Sequence, residues 1–367
     1  MTEKGRVLVA MSGGVDSSLA AALLLREGWR VEGAVLDFSR EPEGEGGCAG
    51  GDTVAAAAAA AAGLGIPLHR IEAGEAFERE VLRPAWEVYT AGRTPSPCLR
   101  CNDRLKFGLL FDFARELGVE RVASGHYARI LPGPRLLRGR HREKDQSYFL
   151  ARVGRERLAR ILTPLGGLTK AKTRGLAAEL GLPAADRRES QDACLAPVGG
   201  SFAEALRLRL GEKAREGNFV DTAGRVLGPH RGLHRYTPGQ RRGLGIALGR
   251  PAFVAGLRPE RGEVVLTTEE KDLRAPGLIA ADLHWLAEEE EKGPFTARVQ
   301  LRSRPTPAPA RVTPLPGGEA RIEFATPQRA VAPGQAAVIY AGDEVLAAGW
   351  IDRPLTGQGG GISGVSR

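Results

Sequence analysis

An α/β fold, a parallel sheet with helices on both faces, is predicted for the first half of this chain, and a small β-barrel for its end. Two observations predict it. From Arg6 to Ser124 short apolar strand-like runs alternate with helix-prone segments, the order that yields parallel strands joined by crossover helices. From about Leu278 short alternating segments are separated by turn signals such as Pro316-Gly317-Gly318 and Pro333-Gly334, which fits a small barrel. The 367 residues suit two or three compact domains better than one.

The elements follow in order. Arg6–Met11 reads as a strand that ends in Ser12-Gly13-Gly14-Val15-Asp16-Ser17-Ser18. A helical pattern begins at once with Leu19, Ala20, Ala22, Leu23 and Leu24, and Gly28 stops it. Val31–Leu36 is the second strand, and the Gly-rich Glu43–Gly51 stretch reads as a mobile loop. Eight consecutive alanines, Ala55–Ala62, place a packed helix at Val54–Leu64, because alanine has the highest helix propensity. A strand at Ile66–His69, a helix at Phe107–Leu117 and a strand at Arg121–Ser124 continue the alternation, and Lys144–Leu150 taken alone reads as a solvated turn before a strand. After about residue 197 the pattern changes to one helix, Phe202–Leu210, and short strands at Phe219–Asp221, Arg225–Leu227 and Val264–Leu266. Barrel strands are expected at Phe295–Leu301, Arg321–Phe324, Ala337–Tyr340 and Val345–Ile351, and a disordered Gly/Ser-rich tail after Leu355.

Composition narrows the function. Hydrophobic residues at 42% and charged residues at 26% exclude a wholly disordered chain. No run reaches the roughly 18 apolar residues of a membrane span. Met1-Thr2-Glu3-Lys4 runs straight into Val7-Leu8-Val9 without a secretion-signal pattern, so a cytoplasmic protein is expected. The net charge, 52 − 44 = +8, favours a polyanionic partner such as RNA. Only 8 of the 52 cations are Lys. Such Arg excess follows from GC-rich codon use, and Arg also stacks on bases and grips phosphates; both readings stand.

Ser12-Gly13-Gly14-Val15-Asp16-Ser17 lies between a strand and a helix. Glycines let the backbone turn and approach an anion, and the free amides of the helix N-terminus point at it. Ser12, Ser17 and Ser18 add hydroxyl donors, and Asp16 beside phosphates makes most sense through a magnesium ion. No G-x-x-x-x-G-K-[ST] loop occurs, so this is not the common NTPase loop.

The four cysteines are Cys48, Cys98, Cys101 and Cys194. Cys98-Leu99-Arg100-Cys101 follows two prolines and is expected on a loop that enters a helix at Asn102 or Asp103, among Arg93, Arg100 and Arg104. Positive surroundings raise the thiolate fraction. A zinc site would need a second pair, for which only His230 and His234 offer themselves. Inert buried cysteines are the plain alternative, and reactive thiols or a three-cysteine iron–sulfur site are the preferred readings. Cysteines beside an adenylating loop are informative: AMP on a carbonyl oxygen makes a good leaving group that sulfur can replace, delivered from one thiol and released by a second.

The loop resembles the PP-loop of ATP pyrophosphatases, whose fold is of the adenine nucleotide α-hydrolase type. Together with Gly92–Asn102, Lys106-Phe107, Ser124-Gly125-His126-Tyr127, Lys144–Leu150, Ser190–Cys194, Thr237–Arg241, Gly243–Ile246 and Pro333-Gly334-Gln335, the chain resembles the bacterial tRNA-specific 2-thiouridylases up to about residue 355. The resemblance implies three parts: a PP-loop catalytic domain over 1–196, a small central α+β domain over 197–273 and a tRNA-binding β-barrel over 274–356, with a flexible tail over 357–367. It implies ATP-dependent 2-thiolation of the wobble uridine. Cys101 matches the nucleophile and Cys194 the persulfide carrier. Ala10, Met11, Ser12, Gly13, Gly14, Val15, Asp16, Ser17, Leu36 and Gly125 match the ATP site. Ser96, Pro97 and Cys98 match the part facing the base, while His126, Lys144, Asp145, Gln146, Arg304, Pro305 and Gln335 match tRNA contacts. The implied cofactors and partners are ATP, Mg2+, the tRNA anticodon arm and a sulfur-donor protein, with a monomer expected. Many relatives carry an acidic residue in place of Cys98 and Asn in place of Ser96. Cys98, Cys101 and Cys194 therefore also suit three irons of a [4Fe–4S] cluster. Arg298, Arg302 and Arg304 are expected along one strand face. An ATP-dependent amide ligase and a tRNA-binding protein without catalysis are the rival functions.

Overall fold

The structure, a computed structural model, describes residues 4–39, 50–182, 201–287, 293–303 and 306–356. Cys48, Cys194, Arg304, Pro305 and the tail 357–367 lie outside the described residues, as do most of the expected loop at 43–51 and the Ser190–Cys194 motif.

The N-terminal region is built on strands β1 (Arg6–Ala10), β2 (Arg30–Asp37), β3 (Leu68–Glu72) and β4 (Arg121–Ala123). A hairpin follows, β5 (Ala128–Leu131) and β6 (Arg135–Arg138), and then β7 (Ile161–Leu162). The first sheet runs β3-β2-β1-β4-β7, all parallel. Helix α1 (Val15–Arg26) and the alanine-rich α2 (Gly50–Leu64) connect its first strands. Parallel strands flanked by helices are buried on both faces: Val7, Leu8 and Val9 of β1 have no solvent exposure. One core joins Val7 and Val9 to Ala57, Ala60 and Ala61 of α2, while Leu8 faces Phe107, Leu110 and Phe111 of the helix Phe107–Glu116 on the opposite side.

A second, four-stranded sheet holds β8 (Gly217–Val220), β9 (Val226–His230), β10 (Phe253–Arg258) and β11 (Glu263–Thr267) in the order β10-β11-β8-β9. The remaining strands are β12 (Arg274–Trp285), β13 (Phe295–Gln300), β14 (Ala308–Leu315), β15 (Glu319–Arg329), β16 (Ala336–Ala341) and β17 (Glu344–Pro354). They run β12-β15-β14-β13-β16-β17, and β12 pairs with β17 as well, closing a six-stranded antiparallel barrel.

The barrel is not a separate bead. Hairpin β5–β6 pairs with β17 through Leu137 and Glu344, so the N-terminal region adds two strands to the barrel sheet. One core cluster runs from Leu8, Leu99 and Tyr148 through Ala336, Val338 and Tyr340 of the barrel. Arg152 donates to the Asp282 carbonyl and carboxylate at 2.6 and 2.7 Å and covers the Trp350 ring.

Three local expectations need correction. The cysteine pair is not on a loop. A helix begins at Pro97, covers Cys98, and widens into a π-helical turn at Cys101–Lys106, because proline at the first helical position has its φ preset and no orphan donor. Lys144–Leu150 is not a turn before a strand; it is a 3-10 turn and then a short helix, Ser147–Leu150, with Tyr148 buried. Arg302 follows the end of β13 at Gln300, so it does not share a strand face with Arg298.

Candidate active site

Strand β1 ends at Ala10, and Met11 continues its pairing by donating its amide to the Ala34 carbonyl. The chain then turns through Ser12–Gly14 into α1. Gly13 has φ +67°, and a Cβ there would lie 2.3 Å from Ala56 Cβ. The loop and α2 thus meet backbone to backbone, which only glycine permits. The Ser12 amide donates to Ser17 Oγ at 3.1 Å, and the Ser17 and Ser18 hydroxyls donate to the Gly14 carbonyl. These bonds fold the loop over the first turn of α1, where free amides and the helix dipole favour an anion. Gly125, just beyond β4, packs against the same turn; a Cβ there would lie 2.7 Å from the Asp16 carbonyl carbon. Of the sequence-predicted nucleotide residues, Ala10–Ser17 and Gly125 come together at these strand ends. Leu36 stands in β2, whose Ala34 pairs with Ala10. The carboxyl ends of parallel strands are where such sheets bind ligands.

Asp16 has partners that sequence reasoning missed. Lys170 Nζ donates to its two carboxylate oxygens at 2.7 and 2.8 Å, and the Tyr127 hydroxyl donates to one of them at 2.8 Å. Lys170 is 6% exposed, and buried lysines are rare unless paired. It also occupies the first position of the helix Lys170–Glu179, where the dipole disfavours a cation. The ion pair explains both oddities. No motif marks Lys170, and 154 residues separate it from Asp16. A magnesium ion is a hard cation that takes oxygen ligands; Asp16 is the carboxylate that could hold it, in exchange with Lys170.

Cys98 is exposed and Cys101 is half-buried against the cluster of Phe77, Val81, Leu82, Leu105 and Leu206. The base of their helix is held from several sides. Ser96 hydrogen-bonds Tyr148, whose hydroxyl donates to the Ala336 carbonyl at 3.1 Å. Burial above all raises the Tyr148 pKa. Asn102 donates to the Cys98 carbonyl at 3.0 Å. The π-helical turn ends at Lys106, which faces His126. That imidazole is buried, bonded to Ser124 Oγ at 2.8 Å, and its pKa is well below the usual value because of burial first and the Lys106 charge second. Phe107, the residue after that turn, lies with its ring centre 5.9 Å from that of His126, which follows Gly125 in the chain.

The other tRNA positions expected from the resemblance are bound up within the fold. Asp145 accepts from Arg138 and the Gly139 amide. Gln146 and Tyr127 exchange two hydrogen bonds at 2.9 Å, one of them from the Tyr127 amide to Gln146 Oε1. Lys144 is half-buried in the preceding 3-10 turn. Gln335 Nε2 donates to the Pro95 carbonyl at 2.8 Å. His230 and His234 spend their ring nitrogens on Gly262 and Glu204, so they do not complete a zinc site with the cysteines. Among the described residues no three His, Cys, Asp or Glu side chains cluster to hold a metal. Cys98 and Cys101 are two thiols of the three that an iron–sulfur cluster would need. The third, Cys194, lies outside the described residues.

Family models match three stretches: a tRNA methyl transferase HUP domain over residues 5–198, a tRNA methyl transferase PRC-barrel domain over 204–268, and an aminomethyltransferase beta-barrel domain over 275–351. A curated tRNA-specific 2-thiouridylase MnmA of Geobacter metallireducens is 46% identical across 97% of this chain and 100% of its own length. One from Chloroflexus aurantiacus is 44% identical across 95% of this chain and 98% of its own. One from Moorella thermoacetica is 46% identical across 94% and 99%.

Proposed function

The chain belongs to the tRNA-specific 2-thiouridylase family, tRNA sulfurtransferases built on an ATP-using PP-loop fold, and from that premise we propose that it thiolates C2 of the wobble uridine by adenylating the base and passing sulfur through cysteines. The observation that supports the reading is an anion-binding loop at the end of β1 whose Asp16 holds the buried Lys170, in a domain whose core also takes in Leu99 of the Cys98–Cys101 helix beside Leu8 of β1.

The anticodon arm docks across the central domain and barrel, and the wobble uridine turns out of its single-stranded loop at a cost of a few kcal/mol or less. The ATP phosphates lie on the amides of Ser12–Ser17. Magnesium held by Asp16 would neutralise charge on the departing pyrophosphate. Lys170, released from Asp16, supplies a positive charge at the same place. The uridine O2 attacks the α-phosphorus, the bond to the β-phosphate oxygen breaks, and pyrophosphate leaves with the electron pair.

A persulfide on Cys194, loaded by a donor protein, then attacks C2 with its terminal sulfur, and AMP departs with the former O2. The Cys101 thiolate attacks the Cys194 sulfur and breaks the S–S bond. The outer sulfur remains on C2 with the electron pair, and a Cys101–Cys194 disulfide forms, to be reduced by an external thiol.

Cys101→Ser tests this. Thiolation, read by mass spectrometry of tRNA digests, should vanish, while tRNA-dependent ATP–pyrophosphate exchange should persist. Loss of exchange in that variant removes the role assigned to Cys101. A protein that adenylates a small acid rather than tRNA would instead be the amide ligase.

A further inference from the structure

The stretch that leads into the first cysteine is held largely from outside itself, with the Thr94 hydroxyl donating to Thr237 Oγ1 at 3.1 Å. Pro95 and Pro97 have no amide hydrogen to donate. The Thr94 amide donates outside its element, to the Pro333 carbonyl at 2.8 Å. Gln335 Nε2 donates to the Pro95 carbonyl at 2.8 Å and lies 3.4 Å from that of Thr94. Arg93 reaches the Ile351 carbonyl at 2.9 Å. All of these contacts except that with Thr237 come from the barrel.

The barrel side of this contact is tightly held. Gly334 donates its amide to the Ile351 carbonyl, and the Ile351 amide donates to the Gln335 carbonyl at 2.7 Å. Gly334 has φ +90°, and a Cβ there would lie 2.7 Å from the Thr94 carbonyl oxygen. The turn 333–335 is thus anchored by two ladder hydrogen bonds and pressed against a segment with few bonds of its own.

We propose that this barrel turn sets the position of the Cys98–Cys101 helix, and that Gln335 is a positioning residue for the thiol chemistry. Its amide carries the Thr94–Pro95 backbone, and that backbone leads within two residues to Pro97, where the cysteine helix starts. The barrel thereby serves as part of the catalytic scaffold as well as a surface for RNA. The catalytic consequence rests on the function proposed above; the positional claim does not.

The test uses the full chain, reduced and free of tRNA and ATP. Gln335→Glu keeps the size of the side chain but removes the donor and puts a charge against two carbonyls. Gly334→Ala pushes on the same backbone without touching Gln335. Iodoacetamide labelling of Cys98 and Cys101 is followed by peptide mass spectrometry, on samples whose circular dichroism and melting match a folded protein. In both variants the labelling rate of at least one cysteine should change by about threefold or more, since thiol reactivity follows its surroundings. In thiolation assays kcat should fall by about tenfold or more while the KM for tRNA stays near wild type, because small displacements of a reacting group are costly. Unchanged labelling in either variant overturns the proposal. So does a raised KM with kcat unchanged, which would make Gln335 a contact for tRNA alone. If Cys101→Ser still thiolates tRNA, the functional reading fails and the labelling result is unaffected.

Discussion

At the scale of single residues, burial decides which side chains can carry charge. His126 sits buried with its pKa depressed. Below about pH 6.5 the unfolded chain binds a proton there that the folded chain refuses. Its contribution is therefore complete above pH 6.5 and is lost as pH falls toward the folded pKa, at about 1.4 kcal/mol per pH unit. Urea unfolding at pH 7 and pH 5.5 should show His126→Gln losing less stability than wild type by about that slope. Lys170 is a different case, a buried side chain whose Nζ donates to both oxygens of Asp16. Lys170→Met should cut ATP–pyrophosphate exchange by about 100-fold, the usual cost of removing one group that meets developing charge. Cys101→Ser, by contrast, should leave exchange intact. Gly13 was legible in the sequence because a glycine between strand and helix has a local meaning. Lys170 was not, since its meaning lies in a carboxylate that only the fold brings near.

At the scale of elements, the alternation of apolar runs gave β1 to β4 and α2, and the turn dipeptides gave β13, β15, β16 and β17, while β7, β12 and β14 went unread. What it misread was the stretch around the cysteines. Two prolines look like loop punctuation, but Pro97 opens a helix, and its continuation is π-helical. Proline's two tendencies are separated only by what packs against it, here Leu99 in the core beneath. The packing of α2 on the nucleotide loop yields a further prediction. Gly13→Ala adds a Cβ that overlaps Ala56 in a left-handed backbone. The strain costs about 1–2 kcal/mol before any shift of α2. A lower melting temperature and weaker ATP binding by calorimetry should accompany each other; normal ATP binding would show that the loop tolerates displacement.

At the scale of the whole molecule, the regions are joined by polar contacts that no local pattern announces. Arg152 bonds to Asp282, and its guanidinium lies 5.2 Å from the Trp350 ring centre. Hydrogen bonds to charged groups contribute about 1.5–3 kcal/mol, so Arg152→Ala should lower the unfolding free energy by about 2 kcal/mol and speed proteolysis near the barrel. No change in either would mean that Arg152 adds nothing to the join that the shared core and the other inter-region arginines make. Hairpin β5–β6 was likewise invisible to sequence reasoning, because its partner strand lies some 200 residues onward: Arg135 bonds Glu344 across 209 residues. That hairpin also governs how the protein can be cut. Because the six C-terminal strands close on themselves, cutting them free would expose no long sheet edge; it would uncover only the start of β17, where Leu137 pairs with Glu344. Grafting the barrel onto a foreign host would therefore mean covering that one short stretch.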